Sequence, residues 1–374
     1  MLSTIRLVLL TASAFYGVAA QVTDADPAQL STITGVLNCA EDVLAPSKVY
    51  PSDFNKVRPA DIMFIAALGD SITTAQHAIN VANLTYGPAD KSPYEGNSFD
   101  MGGNGTMSTH LTLPNIMKTL NPALRGQSYG QGIDPSLSQL NVAIPGRKSD
   151  DFPRQAQDLV NRTKLFYTAD ELNHGWKLIN MFIGTNDIGL LCNDSVGIIT
   201  HTYKDYVKEA IMIIQDNIPR TIISLIGMTN FDFDIFAKNI IFNTPNLYYC
   251  GNGSTLAQPR ILEYRQAMWE LSVDPELQKK DSVIVVQRLF DDLTEPLKKK
   301  DGSYYSDFYA FDVFHFSRLG HSLVAKQLWK QLLQPYGKKS TTNDDLADGS
   351  SELACPDPKC PYIRTPLNSF VCLA

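Results

Sequence analysis

The chain has 374 residues, of which 44% are hydrophobic and 19% are charged, and its net charge is −7. This length allows one large α/β domain or two ordinary domains. The acidic balance argues against a protein that binds nucleic acid or an anionic membrane surface through bulk charge.

Residues 1–20 have the layout of a secretory signal peptide. Arg6 precedes an apolar segment over 7–18, and the small residues Ala19-Ala20 follow it. No later stretch is long and apolar enough to cross a bilayer, so the sequence predicts a secreted protein without a transmembrane anchor. Residues 21–57 contain scattered Pro and Asp without a strong period, which predicts an irregular N-terminal lead-in.

From residue 58 the pattern changes to short apolar runs that alternate with helical periods. Four runs have the length and composition of strands buried on both faces: 62–68, 178–183, 221–226 and 283–286. Helical patterns cover 201–218, begin near Pro153 and Pro259, and occur once more before Pro335. Alternating strands and helices predict an α/β fold over 58–336, with three layers (α/β/α) around a mostly parallel central sheet.

Two further segments differ from this alternation. Residues 86–129 are rich in Gly, Asn, Ser and Pro and are too long for an ordinary connection, which indicates a functional excursion. Residues 337–374 are predicted to form a polar linker followed by a tail that contains cysteines. The polar, low-complexity part over 338–353 predicts a flexible segment.

The six cysteines favour disulfides, because their number is even and the chain carries an export signal. They are Cys39, Cys192, Cys250, Cys355, Cys360 and Cys372. Their pairing stays open, and Cys192 with Cys250 is one hypothesis because both lie beside strand-like runs. Cys355 and Cys360 are alternative metal ligands, but no histidine lies at zinc-finger spacing from them.

Five asparagines begin Asn-x-Ser/Thr sequons, which in an exported chain are candidate glycosylation sites at the surface. They are Asn83, Asn104, Asn161, Asn193 and Asn252.

Ser71 is a candidate nucleophile because it follows the first apolar run directly. The C-terminal ends of parallel strands are where open α/β sheets bind ligands. In the alternative interpretation, Ser71 caps a following helix, a role that Thr73 or Thr74 could equally take.

A serine needs a base to remove its proton and an acid to orient that base. Asp312 lies three residues before His315, so one short segment can supply both groups, although such a histidine can also be purely structural. His321 is the nearest rival, but it falls inside the last helical pattern and lacks an acid at that spacing. The other histidines are predicted to lie at the surface or in loops; they are His77, His110, His174 and His201.

Two further positions can supply donors to an oxyanion. Asn186 follows the second strand-like run and can direct its amide at a developing negative charge, whereas Asp187 can brace the loop. Gly146 would let the backbone approach a substrate and donate its N–H. An ordinary Gly-Asn-Asp turn is the alternative explanation of the Asn186 segment.

Taken in order, these blocks resemble the SGNH, or GDSL-type, hydrolase pattern. The matching residues are Gly69-Asp70-Ser71-Ile72, Gly146, Gly184-Thr185-Asn186-Asp187 and Asp312-Val313-Phe314-His315. A Gly-x-Ser-x-Gly nucleophile elbow is not present, because position 73 is threonine.

The similarity extends to the phospholipase B branch of this family and runs from about residue 57 to 369. The matching stretches are 94–105, 112–116, 141–143, 155–160, 311–320 and 328–329, with Cys355-Pro356 and Pro361-Tyr362 in the tail. Three positions depart from the branch pattern: Phe99 replaces a tryptophan, Asn104 an aspartate and Thr185 a glycine. The first two changes bear on the preference for acyl chain or headgroup.

The resemblance implies a role for each matching residue. Ser71 would be the nucleophile, His315 the base and Asp312 the orienting acid, with the backbone N–H groups of Ser71 and Gly146 and the amide of Asn186 forming the oxyanion hole. It implies no cofactor and no metal.

The implied function is hydrolysis of acyl esters in glycerophospholipids and lysophospholipids at a lipid interface. Other esters, such as acetylated carbohydrates or neutral lipids, are the alternative substrates. A catalytically idle lipid- or carbohydrate-binding protein is the alternative from another class, and the intact set of Ser71, Asn186, Asp312 and His315 argues against it.

Overall fold

The computed structural model describes residues 33, 35–79, 93–189, 198–229, 254–310, 312, 314–342, 344–347 and 349–372. The predicted signal peptide, the proposed Cys192–Cys250 pair and the sequons at Asn83, Asn193 and Asn252 lie outside these residues.

The core of the described chain is a parallel sheet of four strands in the order β1-β2-β3-β4. The strands are β1 Ile62–Gly69, β2 Trp176–Phe182, β3 Thr221–Ile226 and β4 Ser282–Gln287. Every residue of β2, β3 and β4 is buried, so both faces of the sheet are covered. On the outer side of β1, isolated bridges from Phe64 to Arg125 and from Ala67 to Asn141 extend the sheet.

Helices cover the sheet on both faces. The α-helices are α1 Glu41–Leu44, α2 Leu113–Leu120, α3 Pro135–Ser138, α4 Phe152–Phe166, α5 Ala169–His174, α6 Thr185–Gly189, α7 Ile198–Asn217, α8 Ser254–Val273, α9 Arg318–Leu333, α10 Asp344–Ala347 and α11 Pro366–Val371. Helices α4, α7 and α8, each between two successive parallel strands, pack together, α4 against α7 and α7 against α8. The right-handed crossovers expected of such strands put these helices on one face. On the other face, α9 packs against β4 and α2. The α/β fold predicted from the sequence is therefore confirmed.

The predicted strands agree with the observed ones to within two residues at each end. One helix boundary was wrong, because Pro259 lies inside α8 rather than at its start. A proline has no N–H to donate to the carbonyl four residues earlier, so α8 lacks one backbone hydrogen bond at Pro259. The five residues of α8 before Pro259, 254–258, are too few to show a helical period in the sequence.

Two disulfides lie near the ends of the described part of the chain. Disulfides join Cys39 to Cys355 and Cys360 to Cys372, which confirms the disulfide interpretation for four of the six cysteines and rules out Cys355 and Cys360 as metal ligands. Between residues 35 and 57 the chain is irregular apart from α1 and a 3-10 turn at Phe54–Lys56.

The prediction of a flexible segment over 338–353 is wrong for its described residues. Leu346 and Leu353 are buried in the core, and the Lys326 ammonium donates to the carbonyl of Gly349 at 2.9 Å. The buried Lys339 donates to the carbonyls of Gln331 and Gln334 at the C-terminal end of α9. Lysine heads that cap carbonyls allow a polar sequence to pack, which composition alone does not reveal. No helix in the described ranges has the length and apolarity needed to span a bilayer.

Asp100 should make the protein less stable as the pH rises. The residue is fully buried, and burial raises the pKa of its carboxyl to about 7, although a hydrogen bond from Ser98 opposes this. Its unfolded pKa is near 3.8, so the folded state binds the proton more tightly, and stability is lost between about pH 4 and pH 7. This one group contributes on the order of a few kcal/mol to that loss.

We therefore expect Asp100→Asn to reduce the slope of unfolding free energy against pH. Urea unfolding at pH 4, 5, 6 and 7 measures it, with the exposed Asp205→Asn as the matched control that keeps the parent slope. An equal slope in Asp100→Asn and the parent would contradict the assignment.

Candidate active site

Ser71 lies in a tight turn directly after β1, at the C-terminal edge of the sheet. Residues 71–79 form consecutive turns and no helix, so Ser71 does not cap one. Gly69 is required at the end of the strand, because a Cβ there would lie 2.2 Å from Thr73 Oγ1 and 3.0 Å from the carbonyl oxygen of Phe182. The chain can therefore turn sharply against β2 and present the Ser71 hydroxyl at the strand end.

The Ser71 hydroxyl meets the imidazole of His315, which arrives from a loop just before α9. Ser71 Oγ lies 2.8 Å from His315 Nε2, and His315 Nδ1 lies 2.5 Å from Asp312 Oδ2. The other oxygen of Asp312 accepts the backbone N–H groups of Phe314 and His315 at 3.1 and 3.0 Å. The carboxylate thus fixes the proton on Nδ1 and leaves Nε2 to accept from the serine.

The charge state of Asp312 suits this arrangement. Burial alone would raise the pKa of Asp312, but attraction to His315 and three hydrogen bonds outweigh it and lower the pKa to about 2. The carboxylate therefore remains ionised over the whole working range of pH. An ionised acid beside Nδ1 can stabilise a positive charge on the imidazole.

Direct bonds hold the segments around Ser71 in place. The Gln155 side chain from α4 both accepts from the Gly69 N–H at 2.9 Å and donates to the Gly69 carbonyl at 3.0 Å. The backbone N–H of Arg318 donates to the carbonyl of Ala78, which joins the Ser71 turn to the segment after His315. Ser317 caps α9, accepting from the N–H of Gly320.

The predicted oxyanion donors lie on the neighbouring loops. Gly146 has a φ of +75°, which suits glycine, and neither its N–H nor that of Ser71 bonds to another described residue. Asn186, in α6 after β2, donates its amide to the carbonyl of Arg147 at 2.9 Å and lies 3.4 Å from Asp70 Oδ2. Asn186 therefore ties the Gly146 loop to the end of β2.

Two buried aspartates brace these loops. Asp70 Oδ1 accepts the N–H of Ile72 at 2.9 Å, and Asp187 accepts both the N–H and the hydroxyl of Ser149. Burial raises the pKa of Asp70 to about 7 and that of Asp187 to about 6. Their contacts agree with the bracing role that the sequence suggests for Asp187.

The remaining histidines differ in burial and in hydrogen-bond partners. His321 is buried inside α9 and accepts the N–H of Phe99 at 3.2 Å, and burial lowers its pKa well below the usual value. His174 is exposed at the end of α5, as predicted. His110 was predicted to lie at the surface or in a loop; it lies in a loop, where it is buried and accepts from Arg318 Nε at 3.0 Å. The side chain of His201 lies outside the described residues.

His77 is the functional candidate that the sequence interpretation missed. It was assigned to the surface or a loop, and it does lie in the turn after β1, but it is buried there with its ring centroid 5.2 Å from that of His315. Its position six residues after Ser71, within the turn that follows the strand, is the only sequence signal that could have indicated this closeness. The contact of Gln155 with Gly69 could not be predicted from the sequence, because 86 positions separate the two residues.

Phe99 and Asn104, the two departures from the phospholipase B pattern that bear on substrate preference, make contacts within the protein. Phe99 is fully buried, stacked on His321 with its ring edge against Phe182. Asn104 accepts the N–H of Gly130 at 2.9 Å and is only partly exposed, whereas the sequon residue Asn161 is exposed on α4. Phe99 thus packs the 93–130 region against α9 and β2, and Asn104 joins two loops within that region.

Comparison with known proteins assigns the family. Residues 65–328 match the model of the GDSL-like Lipase/Acylhydrolase family, which is most of the chain. The chain belongs to this family. Within it, the prediction of a carboxylic ester hydrolase from the GDSL-type pattern is confirmed at the level of the family.

Among curated members similar to this chain is "Phospholipase B1, membrane-associated" of two mammals. The Rattus norvegicus protein is 33% identical over 351 residues, covering 90% of this chain and 23% of its own length. The Homo sapiens protein is 32% identical over 339 residues, covering 86% and 22%. The chain therefore spans less than a quarter of the length of these relatives.

A solved structure of a putative GDSL-like lipase from Parabacteroides merdae is 17% identical to this chain. The match covers 71% of this chain and 92% of that one, with a TM-score of 0.37. A score this low supports no inference about substrate or mechanism.

Proposed function

We propose that this GDSL-family chain hydrolyses acyl esters of glycerophospholipids and lysophospholipids through an acyl-enzyme on Ser71. The observation that carries the proposal is the continuous chain of hydrogen bonds from Ser71 Oγ through His315 to Asp312. A hydroxyl, a base and an ionised acid in this order are the parts that nucleophilic acyl transfer needs. The similarity to phospholipase B1 supports the choice of phospholipid esters.

In the proposed reaction, Ser71 Oγ attacks the ester carbonyl while His315 Nε2 takes the hydroxyl proton. Asp312 stabilises the imidazolium that forms. The oxyanion would receive hydrogen bonds from the N–H groups of Ser71 and Gly146 and from the amide of Asn186, in exchange for the 3.4 Å contact of that amide with Asp70 Oδ2. His315 then returns the proton to the leaving alcohol, and water attacks the acyl-enzyme by the same route to release the fatty acid.

We further propose that the mature protein acts outside the cytosol at a lipid interface. The disulfides Cys39–Cys355 and Cys360–Cys372 support an oxidising compartment, because thiols stay reduced in the cytosol. The exposed Asn161 is the described sequon best placed to carry a glycan.

Fatty-acid release tests the substrate class directly. The purified protein, with a chelator present, is incubated with phosphatidylcholine liposomes, lysophosphatidylcholine micelles, triolein emulsion and acetylated xylan. The proposal predicts fatty-acid release from both phospholipid forms at rates above those on the other two substrates. Activity on acetylated xylan or triolein without activity on either phospholipid would overturn the phospholipid assignment and leave the ester chemistry.

Asn186→Ala should lower kcat by about 10²–10³-fold with little change in KM. The reason is that an oxyanion donor interacts with charge that develops only in the transition state, where one donor contributes about 2.7–4 kcal/mol. Initial rates of lysophosphatidylcholine hydrolysis measure the effect. Asn217→Ala, on the exposed end of α7, is the control that should keep the parent rate. A loss below about tenfold would remove Asn186 from the oxyanion hole.

A further inference from the structure

His77 stands beside the proposed catalytic pair without a part in the proposed reaction. One ligand atom each from His77, Asp312 and His315 lies within 4.8 Å of the other two. His77 and His315 are buried, and the Asp312 side chain is 13% exposed. Two imidazoles and one carboxylate converge here from two chain segments, the Ser71 turn and the loop before α9.

The backbone at His77 is unusual for a residue with a side chain. His77 has a φ of +63°, and Ala75 in the same turn has a φ of +52°. Both lie in the left-handed region that glycine adopts freely and other residues adopt at a cost. Non-glycine residues in this conformation cluster at functional sites, where the side chain contributes something that glycine cannot.

We propose that His77, Asp312 and His315 form a binding site for a divalent transition-metal ion of the Zn²⁺ type, and that its occupancy switches the hydrolase off. Two histidines and one carboxylate, with water as the fourth ligand, are a common zinc set. Ligand atoms on a tetrahedral zinc lie about 3.3 Å apart, since each is about 2.0–2.2 Å from the metal. The three ligand atoms lie within 4.8 Å of one another, so side-chain shifts on the order of 1 Å bring them to this spacing. If the metal takes His315 Nδ1, that atom and Asp312 Oδ2 move apart from their present 2.5 Å.

The metal blocks catalysis whichever nitrogen of His315 it takes. On Nε2 it occupies the lone pair that would accept the Ser71 proton. On Nδ1 it displaces the proton shared with Asp312, and the one remaining proton of the neutral ring then lies on Nε2. In both cases Ser71 Oγ loses its acceptor and cannot become the nucleophile.

The ligand chemistry also predicts selectivity among ions. Imidazole nitrogen suits Zn²⁺, whereas Ca²⁺ and Mg²⁺ prefer sites built from oxygen. One carboxylate and two imidazoles should therefore leave the protein insensitive to millimolar Ca²⁺.

Isothermal titration of the full chain with Zn²⁺, after removal of metal with EDTA, tests the site without relying on activity. His77→Asn and His77→Gly both remove the ligand, and both residues tolerate a positive φ, so they keep the turn. The loss of one outer partner of a metal site already costs about 10–100-fold in affinity, so loss of a direct ligand should raise the Kd by at least about tenfold. His174→Asn removes the exposed His174–Asp170 pair on α5 and should leave the Kd unchanged.

The switch itself rests on the proposed function and is tested with lysophosphatidylcholine. Zn²⁺ should reduce fatty-acid release, EDTA should restore it, and the two His77 variants should require at least about tenfold more Zn²⁺ for half inhibition relative to their own metal-free rates. An unchanged Kd in both His77 variants would overturn the site. Tight binding through His77 with no loss of activity would overturn the switch. A metal-free protein without esterase activity would instead contradict the proposed function and leave the binding result standing.

Discussion

Ser71→Ala should lower ester hydrolysis by a factor on the order of 10⁶, the cost of removing the nucleophile from a serine triad. The alanine removes the only hydroxyl that is hydrogen-bonded to His315 Nε2 in the described part of the chain. No acyl-enzyme can then form, and the oxyanion donors alone give only residual acceleration over water. Fatty-acid release from lysophosphatidylcholine, followed to saturation, measures the loss.

The variant should fold as the parent does, because Ser71 lies in a turn held by backbone bonds and by Gln155 at Gly69. Ser136→Ala, at the exposed start of α3, is the matched control and should retain full activity. If Ser71→Ala hydrolyses the substrate as fast as Ser136→Ala, Ser71 is not the nucleophile.

Asp312→Asn should reduce kcat by about 10⁴-fold while leaving the fold intact. The asparagine can still accept the backbone N–H groups of Phe314 and His315 through its oxygen. Its amide would then face His315 Nδ1 as a donor, which moves the imidazole proton to Nε2. In that tautomer the imidazole cannot accept the proton of Ser71.

The measurement is the rate profile from pH 5 to pH 9. Part of the activity of Asp312→Asn should return at high pH, where hydroxide can take over the role of the base. Asp307→Asn, five residues earlier in the same loop, should keep the parent profile. Equal rates in the parent and Asp312→Asn at neutral pH would show that Asp312 does not orient the imidazole.

The elements that the sequence predicted best are those with an unbroken apolar run. The strands at Ile62 and Thr221 were located to within a residue or two, because a strand buried on both faces needs apolar residues at every position. The carboxyl ends of β1 and β2 then placed Ser71 and Asn186 at the same edge of a parallel sheet. The Asp-x-x-His spacing predicted the contact between Asp312 and His315, because its geometry is local.

The features that were not predicted from the sequence depend on contacts between residues that are far apart in the chain. His77 and His110 lie in loops, and each is buried against a residue more than 200 positions away, His77 against His315 and His110 against Arg318. The 338–353 segment looked flexible from its polar composition. In the structure Lys339 donates to the carbonyl of Gln331 in α9, and Lys326 of α9 donates to the carbonyl of Gly349 in the segment. The disulfide from Cys39 to Cys355 spans 316 positions, and spacing alone cannot indicate such a pair.

The nucleophilic role of Ser71 is tested most directly by the site of covalent labelling. A fluorophosphonate reacts only with a serine whose proton can be removed by a base, and the adduct can be located by mass spectrometry of the digested protein. Ser71 should carry the label in the parent, and Ser71→Ala should remain unlabelled. A label on another serine, or no label on the folded parent, would contradict the role of Ser71 as the nucleophile.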